Sequence, residues 1–161
     1  MNRKQKIISR SLKKKNNCSI FHLVIFFLLI LLDQATKYWV RTHLFPGRSI
    51  DPLNFLSITY LQNTGVSFGM FKGLNLLFTA VLVCAFVYFL ILFLKRINYR
   101  VQIIFILAGI TGNLIDRLTL GYVVDFINFH FWPVFNIADS CVFIGVFWLI
   151  IASSVNKEEI F

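Results

Sequence analysis

Leu74 to Leu94 reads LNLLFTAVLVCAFVYFLILFL, 21 residues without a single charge. As an α-helix it rises about 31 Å at about 1.5 Å per residue, enough to cross hydrocarbon about 30 Å thick. It has no polar face to turn toward water, so this one segment decides the class: an integral membrane protein. The rest of the composition agrees. Residues of the AVILMFWYC class make up 58% of the 161 and charged residues 14%, against about 25% charged in soluble domains. Eight glycines and three prolines are too few for a collagenous or linker-like chain, and 19 phenylalanines argue against disorder.

Upstream of this span, a basic stretch precedes the apolar run Ile20 to Leu32, the outline of a secretory signal peptide. After Leu32 comes Asp33-Gln34-Ala35-Thr36-Lys37, with no small-x-small cleavage pattern, so the segment reads as an uncleaved first helix continuing to about Val40. Downstream, Val101 to Ile115 is apolar and turns polar at its far end, and Ile137 to Val155 is apolar with Asp139 near its start. The expected organisation is a basic tail over 1–19, one four-span unit over 20–155 with spans at about 20–40, 74–94, 101–118 and 137–155, and a short tail over 156–161. The expected fold class is mainly α: a four-helix transmembrane bundle with a small β-rich extracytoplasmic platform between helices 1 and 2.

The net charge of +9 is informative only by position. Seven bases fall in the first nineteen residues, three more are Lys95, Arg96 and Arg100, and one is Lys157; these eleven of sixteen lie on one side of a four-span layout. The positive-inside bias then predicts both termini cytoplasmic. A basic tail next to an apolar run is read as a topology signal, not as a nucleic-acid arm. Cys18, Cys84 and Cys141 are odd in number and lack a CxxC spacing, so neither a disulfide framework nor a zinc site is expected.

The link Arg41 to Gly73 is too polar to cross and too long for a hairpin turn. Pro46-Gly47 and Asp51-Pro52 read as turns, Phe55 to Leu61 as a strand rich in β-branched and aromatic residues, and Asn63-Thr64-Gly65 as its end. Such a strand could pair with the extended backbone of a substrate.

The seven acids locate the chemistry. Glu158, Glu159 and Asp51 are explained by solvation, whereas Asp33, Asp116, Asp125 and Asp139 lie in or beside apolar segments. An acid inside a span costs about 2.5–3.5 kcal/mol on insertion scales, so it is seldom kept without a partner or a task. With both termini inside, all four fall at the outer level of the bundle. Two carboxyls brought close share a proton, one acting as base and the other as acid. Lys37, at i+4 from Asp33, would pair with it, and Arg117 beside Asp116 would hold that carboxyl ionised, with Asn113 as its hydrogen-bond partner. Those two acids read as supporting residues. Asp125, between Val124 and Phe126, is the better candidate for a perturbed carboxyl. Asn136, three residues before Asp139, could cap the fourth helix, orient the acid, or both.

At these residues the chain resembles a known family. Gly112-Asn113-Leu114-Ile115-Asp116-Arg117, Val123-Val124-Asp125-Phe126 and Phe135-Asn136-Ile137-Ala138-Asp139-Ser140, with Gln62-Asn63-Thr64-Gly65-Val66-Ser67-Phe68-Gly69 and Asp33-Gln34-Ala35-Thr36-Lys37, resemble in order the blocks of the bacterial lipoprotein signal peptidases, the type II signal peptidases. The likeness covers roughly residues 20 to 155. It implies a four-span inner-membrane aspartic endopeptidase, without cofactor, that cuts prolipoproteins just before their diacylglyceryl-modified cysteine. Asp125 and Asp139 would be the catalytic pair; Asn63, Gly65, Asn113, Asp116, Arg117 and Asn136 would line or support the substrate pocket, with Asp33 and Lys37 as structural support. The partners implied are the lipid-modified prolipoprotein and membrane lipids, and no nucleic acid. Val66-Ser67 stands where the family usually carries a small pair.

The competing reading is a small proton-coupled transporter, since intramembrane acids also serve proton relays. A metal site is not expected: His22, His43 and His130 are scattered and none forms HExxH. Val81-Leu82-Val83-Cys84 resembles a lipobox only weakly, and Cys84 reads as a buried small hydrophobe. Trp39, Trp132 and Trp148 read as lipid-facing or interfacial anchors, with Trp132 and His130 at the rim of the site.

Overall fold

Four helices are long and apolar enough to cross a bilayer in the computed structural model, which describes residues 3–65, 75–95 and 98–156, with side chains from residue 20 onward. They are α1 (Arg3–His43), α2 (Asn75–Leu94), α3 (Arg100–Thr119) and α4 (Ile137–Asn156). The backbone of the basic N-terminal stretch thus continues from Arg3 without a break into the first span, whose apolar part is Ile20–His43.

α3, the least hydrophobic of the four spans, is the helix the others surround. Within its apolar window 67% of residues are buried, against 11–22% for the other three. Ile106 and Ile110 of α3 pack with Leu149 of α4 and with Leu82, Phe86 and Phe89 of α2. Glycines let the two central helices meet backbone to backbone. A methyl group on Gly109 would collide with the Ala138 carbonyl of α4, and one on Gly145 would come within 2.8 Å of the Gln102 carbonyl of α3. Small residues at such contacts are how helices associate where hydrocarbon offers no hydrophobic drive. Many large apolar side chains of α1, α2 and α4, such as Leu31, Leu76 and Phe143, are exposed on the outer, lipid-facing side. Cys84 is among these outward residues, which corrects its expected burial: α2 turns Leu82, Ala85 and Phe86 inward and leaves Cys84 on the lipid side.

The strands β1 (Ser49–Leu53), β2 (Leu56–Asn63) and β3 (Val123–Asn128) form one antiparallel sheet in the order β1-β2-β3. Pro46-Gly47 forms a turn, Gly47 taking φ +82°. Asp51-Pro52 does not: both residues lie in β1, and the hairpin turn is Asn54-Phe55. β1 is an edge strand and its register shifts between Ile50 and Leu53, so the missing N–H of Pro52 costs the sheet no ladder bond it would otherwise make. β2 is the middle strand, paired with β1 on one side and β3 on the other. Its expected pairing with a substrate backbone over Phe55 to Leu61 is therefore excluded, because those edges are already occupied.

β3 comes from between α3 and α4, not from the α1–α2 link that supplies the other two strands. Val124 and Phe126 pack with Tyr60 and with Val40 of α1. Alternation then turns Asp125 to the opposite face, toward Asn63 and toward Asn136 just before α4.

Candidate active site

The site is built on a buried ion cluster. Lys37 and Asp33 stand one turn apart on α1 with Nζ–Oδ2 at 2.8 Å, and Asp116 Oδ2 of α3 lies 3.1 Å from the same ammonium. The third bond of Lys37 goes to Asn113 Oδ1 at 3.0 Å, so the three donors of this side chain, 2% exposed, are all used. Asp33 Oδ1 accepts the Ala138 N–H of α4 at 2.8 Å, and Asp116 Oδ2 accepts the Val124 N–H of β3 at 3.0 Å. Gln34 Nε2 donates to Asp33, to the Gly112 carbonyl and to Asp116. Two carboxylates and one ammonium thus tie α1, α3, α4 and β3 together. The cation that holds Asp116 is Lys37, not the expected Arg117, whose guanidinium turns away to Asn75 Oδ1 of α2 at 2.9 Å and lies over the Phe78 ring. Asn113 likewise serves Lys37 and the acid at 139, not Asp116.

Above the cluster, three asparagine amides connect Asp125 and Asp139. Asn63 Nδ2 donates to Asp125 Oδ2 at 2.9 Å and Asn136 Nδ2 to Asp125 Oδ1 at 2.8 Å. Asn113 Nδ2 donates to Asp139 Oδ1 at 2.7 Å, and Asn136 Nδ2 also reaches Asn113 Oδ1 at 3.1 Å. At the start of α4 the Asp139 N–H donates to Asn136 Oδ1 at 2.9 Å and the Asn136 N–H to Asp139 Oδ2 at 3.1 Å, a reciprocal capping box. Asn136 therefore both caps the helix and orients the acids. Gly65 N–H donates to Asn63 Oδ1 at 2.9 Å, holding that amide with its nitrogen toward Asp125. Gly65 has φ +136°, and a Cβ there would press into Phe78, so only glycine fits.

Asp125, on β3, is 2% exposed. Burial first, and then the charge of Asp139, push its carboxyl up to about 7, against the lowering effect of the Asn63 and Asn136 amides. A buried carboxyl that keeps its proton near neutral pH beside a second carboxyl can give or take a proton at little cost.

Asp125, Asp139, Asn63, Asn113 and Arg117 line one cavity of about 200 Å³. Asp139 also borders two larger apolar cavities. One, about 580 Å³, lies beneath Phe131 and Trp132; the other, about 610 Å³, lies between α2, α3 and α4 along Leu82, Phe89, Ile110 and Val146. The chamber holding the two acids thus shares Asp139 with two larger apolar cavities.

All ten expected site residues fall in or against this arrangement. Asp33, Lys37, Asn113, Asp116, Asp125, Asn136 and Asp139 form one hydrogen-bonded chain that Asn63 and Gly65 extend, and Arg117 faces the acids across the cavity. Trp132 rims the channel to Asp139; His130, at φ +66°, bonds Ser57 Oγ at 2.9 Å through Nε2. Gln34 and Asn75 do not stand out in the sequence as site residues. Gln34 lies inside the first-helix motif, whereas Asn75 looks like any polar residue opening a helix. Val66-Ser67 lies outside the described residues.

A family model described as signal peptidase (SPase) II matches residues 25–155. The chain belongs to the signal peptidase II family. It is 42% identical over 125 residues to the lipoprotein signal peptidase of Thermodesulfovibrio yellowstonii, covering 74% of this chain and 85% of that one. With the lipoprotein signal peptidase of Syntrophus aciditrophicus it shares 36% identity over 154 residues, covering 87% and 96%. A solved structure described as a bacterial membrane enzyme superposes with a TM-score of 0.77 at 34% identity, over 86% of this chain and 92% of that one. This signal peptidase II chain is accordingly a multi-pass membrane peptidase, and its fold is that of its relatives.

Proposed function

We propose that this peptidase removes the signal peptide from diacylglyceryl-modified prolipoproteins by aspartic chemistry, cutting before the lipidated cysteine. The observation that carries the reading is the amide-linked pair of carboxyls in one small chamber: Asn136 bonds both Asp125 and Asp139, and Asp125 is the carboxyl that burial and its neighbour keep protonated near pH 7. One acid of the pair takes a proton from a water held between them as that water attacks the scissile carbonyl. The other protonates the leaving amine, so the pair is restored with its single proton. Which acid plays which part is a property of the coupled pair. The cationic guanidinium of Arg117, across the chamber, would stabilise the negative charge that develops on the carbonyl oxygen. The two apolar cavities that Asp139 borders suit a substrate with lipid chains and an apolar signal segment. The distribution of basic residues supports cytoplasmic termini, with the chamber toward the outer face of the inner membrane.

The test is cleavage of a diacylglyceryl-modified prolipoprotein by purified enzyme, comparing Asp125→Asn, Asp139→Asn and Asp116→Asn at matched folded yield. Both of the first two lose activity by at least a thousandfold and the third retains some. If Asp125→Asn still cuts while Asp116→Asn is dead, the pair is misassigned. A wild-type protein that never cuts this substrate overturns the proposed substrate and cut position.

A further inference from the structure

A second polar cavity, of about 380 Å³, lies at the end of α1. It is lined by Tyr38, Arg41 and His43 of α1, by Phe45 after it, and by Tyr60 and Tyr122 of the sheet region. Tyr60 belongs to the face of the sheet that packs on α1 with Val124, the face opposite Asp125, so this cavity is separate from the acid chamber.

Its chemistry is that of an anion site. Arg41 and His43 are its only ionisable nitrogen groups and no acid lines it. The Arg41 guanidinium is exposed and has no ion pair or hydrogen bond among the described residues. The two tyrosine hydroxyls lie 3.1 Å apart, and Gln62 Nε2 donates to Tyr60 Oη at 3.0 Å. Two hydroxyls own two protons, and their mutual bond consumes one. The other is not used by that bond, and both tyrosines line the cavity together with Arg41. A helix C-terminus normally repels anions through its bare carbonyls. Here the Leu44 N–H donates to the Val40 carbonyl, and the basic side chains of Arg41 and His43 stand in the last turn, so part of that negative end is offset.

The depth identifies the source of the anion. The cavity sits where the first span ends at His43, beside exposed Tyr38 and Trp39, the latter stacked on His43 at 4.8 Å. Aromatic residues at a span end mark the headgroup level. A guanidinium and a hydroxyl proton match a phosphate oxyanion, and the Phe45 and Tyr38 rings supply an apolar wall for the glycerol. With no acid to receive an ammonium, the cavity favours a headgroup that carries none.

We propose that this cavity binds the phosphodiester of an anionic phospholipid, held by Arg41 and the Tyr60–Tyr122 hydroxyl pair. The site is independent of the proposed peptidase chemistry, so either can fail without the other.

The experiment titrates the full-length protein in neutral detergent with dioctanoylphosphatidylglycerol, with dioctanoylphosphatidylcholine and with inorganic phosphate, following Trp fluorescence and phosphorus NMR line width. The phosphatidylglycerol is expected to saturate, with affinity reduced about tenfold in Arg41→Gln and severalfold in Tyr122→Phe, and unchanged in Arg48→Gln, an exposed base outside the cavity. Arg41 is exposed, so its variant keeps the fold, which thermal unfolding verifies. Unchanged binding in Arg41→Gln, an equal loss in Arg48→Gln, or equal affinity for the choline lipid overturns the proposal. Inorganic phosphate competing at the same concentration as the lipid overturns the lipid assignment.

Discussion

The Lys37 ammonium and the Asn113 carbonyl oxygen lie 3.0 Å apart, joining the ion cluster beneath the chamber to the acids inside it. Because this donor and Asn136 Nδ2 both claim Asn113 Oδ1, the amide nitrogen of Asn113 has only one way to point, toward Asp139. The charge on α1 thus sets the donor direction at α4.

Replacing Lys37 with Met tests this coupling. The substitution leaves Asp33 and Asp116 buried without their cation, and losing one partner of a buried pair costs about 3–5 kcal/mol. Thermal unfolding in detergent is expected to show a loss of that size, and adding Asp33→Asn recovers part of it by removing one orphaned charge. A Lys37→Met protein as stable as wild type would show that the cluster is not holding the helices.

The Asp125 carboxyl sets a pH dependence with a definite sign. Its folded value of about 7 lies above the ordinary 3.8, so between those values the native state holds a proton that the unfolded state releases. Its contribution is fully present below about pH 3.8 and is lost as pH rises through about 7, amounting to on the order of 4 kcal/mol. Melting temperature is therefore expected to fall between pH 5 and 8 in wild type and to flatten over that range in Asp125→Asn. Peptidase activity is expected to decline above about pH 7 as the shared proton leaves; a rate still rising at pH 9 would count against proton sharing.

Much of the fold is visible in the residues themselves. The uncharged run Leu74–Leu94 announces a span, and the Asp33–Lys37 pairing follows from i+4 spacing on one helix. The dual role of Asn136 is open to reading because a cap and an acid three residues apart meet by helix geometry alone. The hidden part depends on residues far apart in the chain. Nothing local says that Asp116 finds Lys37 instead of its neighbour Arg117, or that Arg117 finds Asn75, because helix packing decides both. β3 is hidden for a related reason: so short a stretch, six residues from Val123 to Asn128, is identified as a strand only by the partner it pairs with, and that partner, β2, lies in a different loop. Asp51-Pro52 shows the converse, a turn-like pair drawn into an edge strand by the sheet beside it.

Gly112 offers a steric test of the same region. A Cβ there would stand 2.5 Å from Asp33 Oδ2 and 3.1 Å from the Ala138 Cβ, and neither atom is free to yield, since Asp33 is bound by Lys37 and the Ala138 N–H. Gly112→Ala is expected to cost about 1–3 kcal/mol, as overpacked cores do, and to lower activity at matched folded yield. Gly121→Ala is the contrast: nothing lies within 4 Å, and only its φ of +81° resists the side chain. It is expected to cost about 1 kcal/mol and to leave cleavage intact. Melting curves and rates of the two variants, side by side, separate crowding from backbone strain.

The bond from the Ala138 N–H to Asp33 spans 105 residues, and Asp139 is the next residue along. Asp125 is emplaced only when β3 docks on β2, and Asp139 only when α4 closes on α1 and α3. During synthesis, a chain with three helices inserted holds one acid and lacks the other. On the proposed pairing of these two acids, a chain without its last helix is expected not to cut.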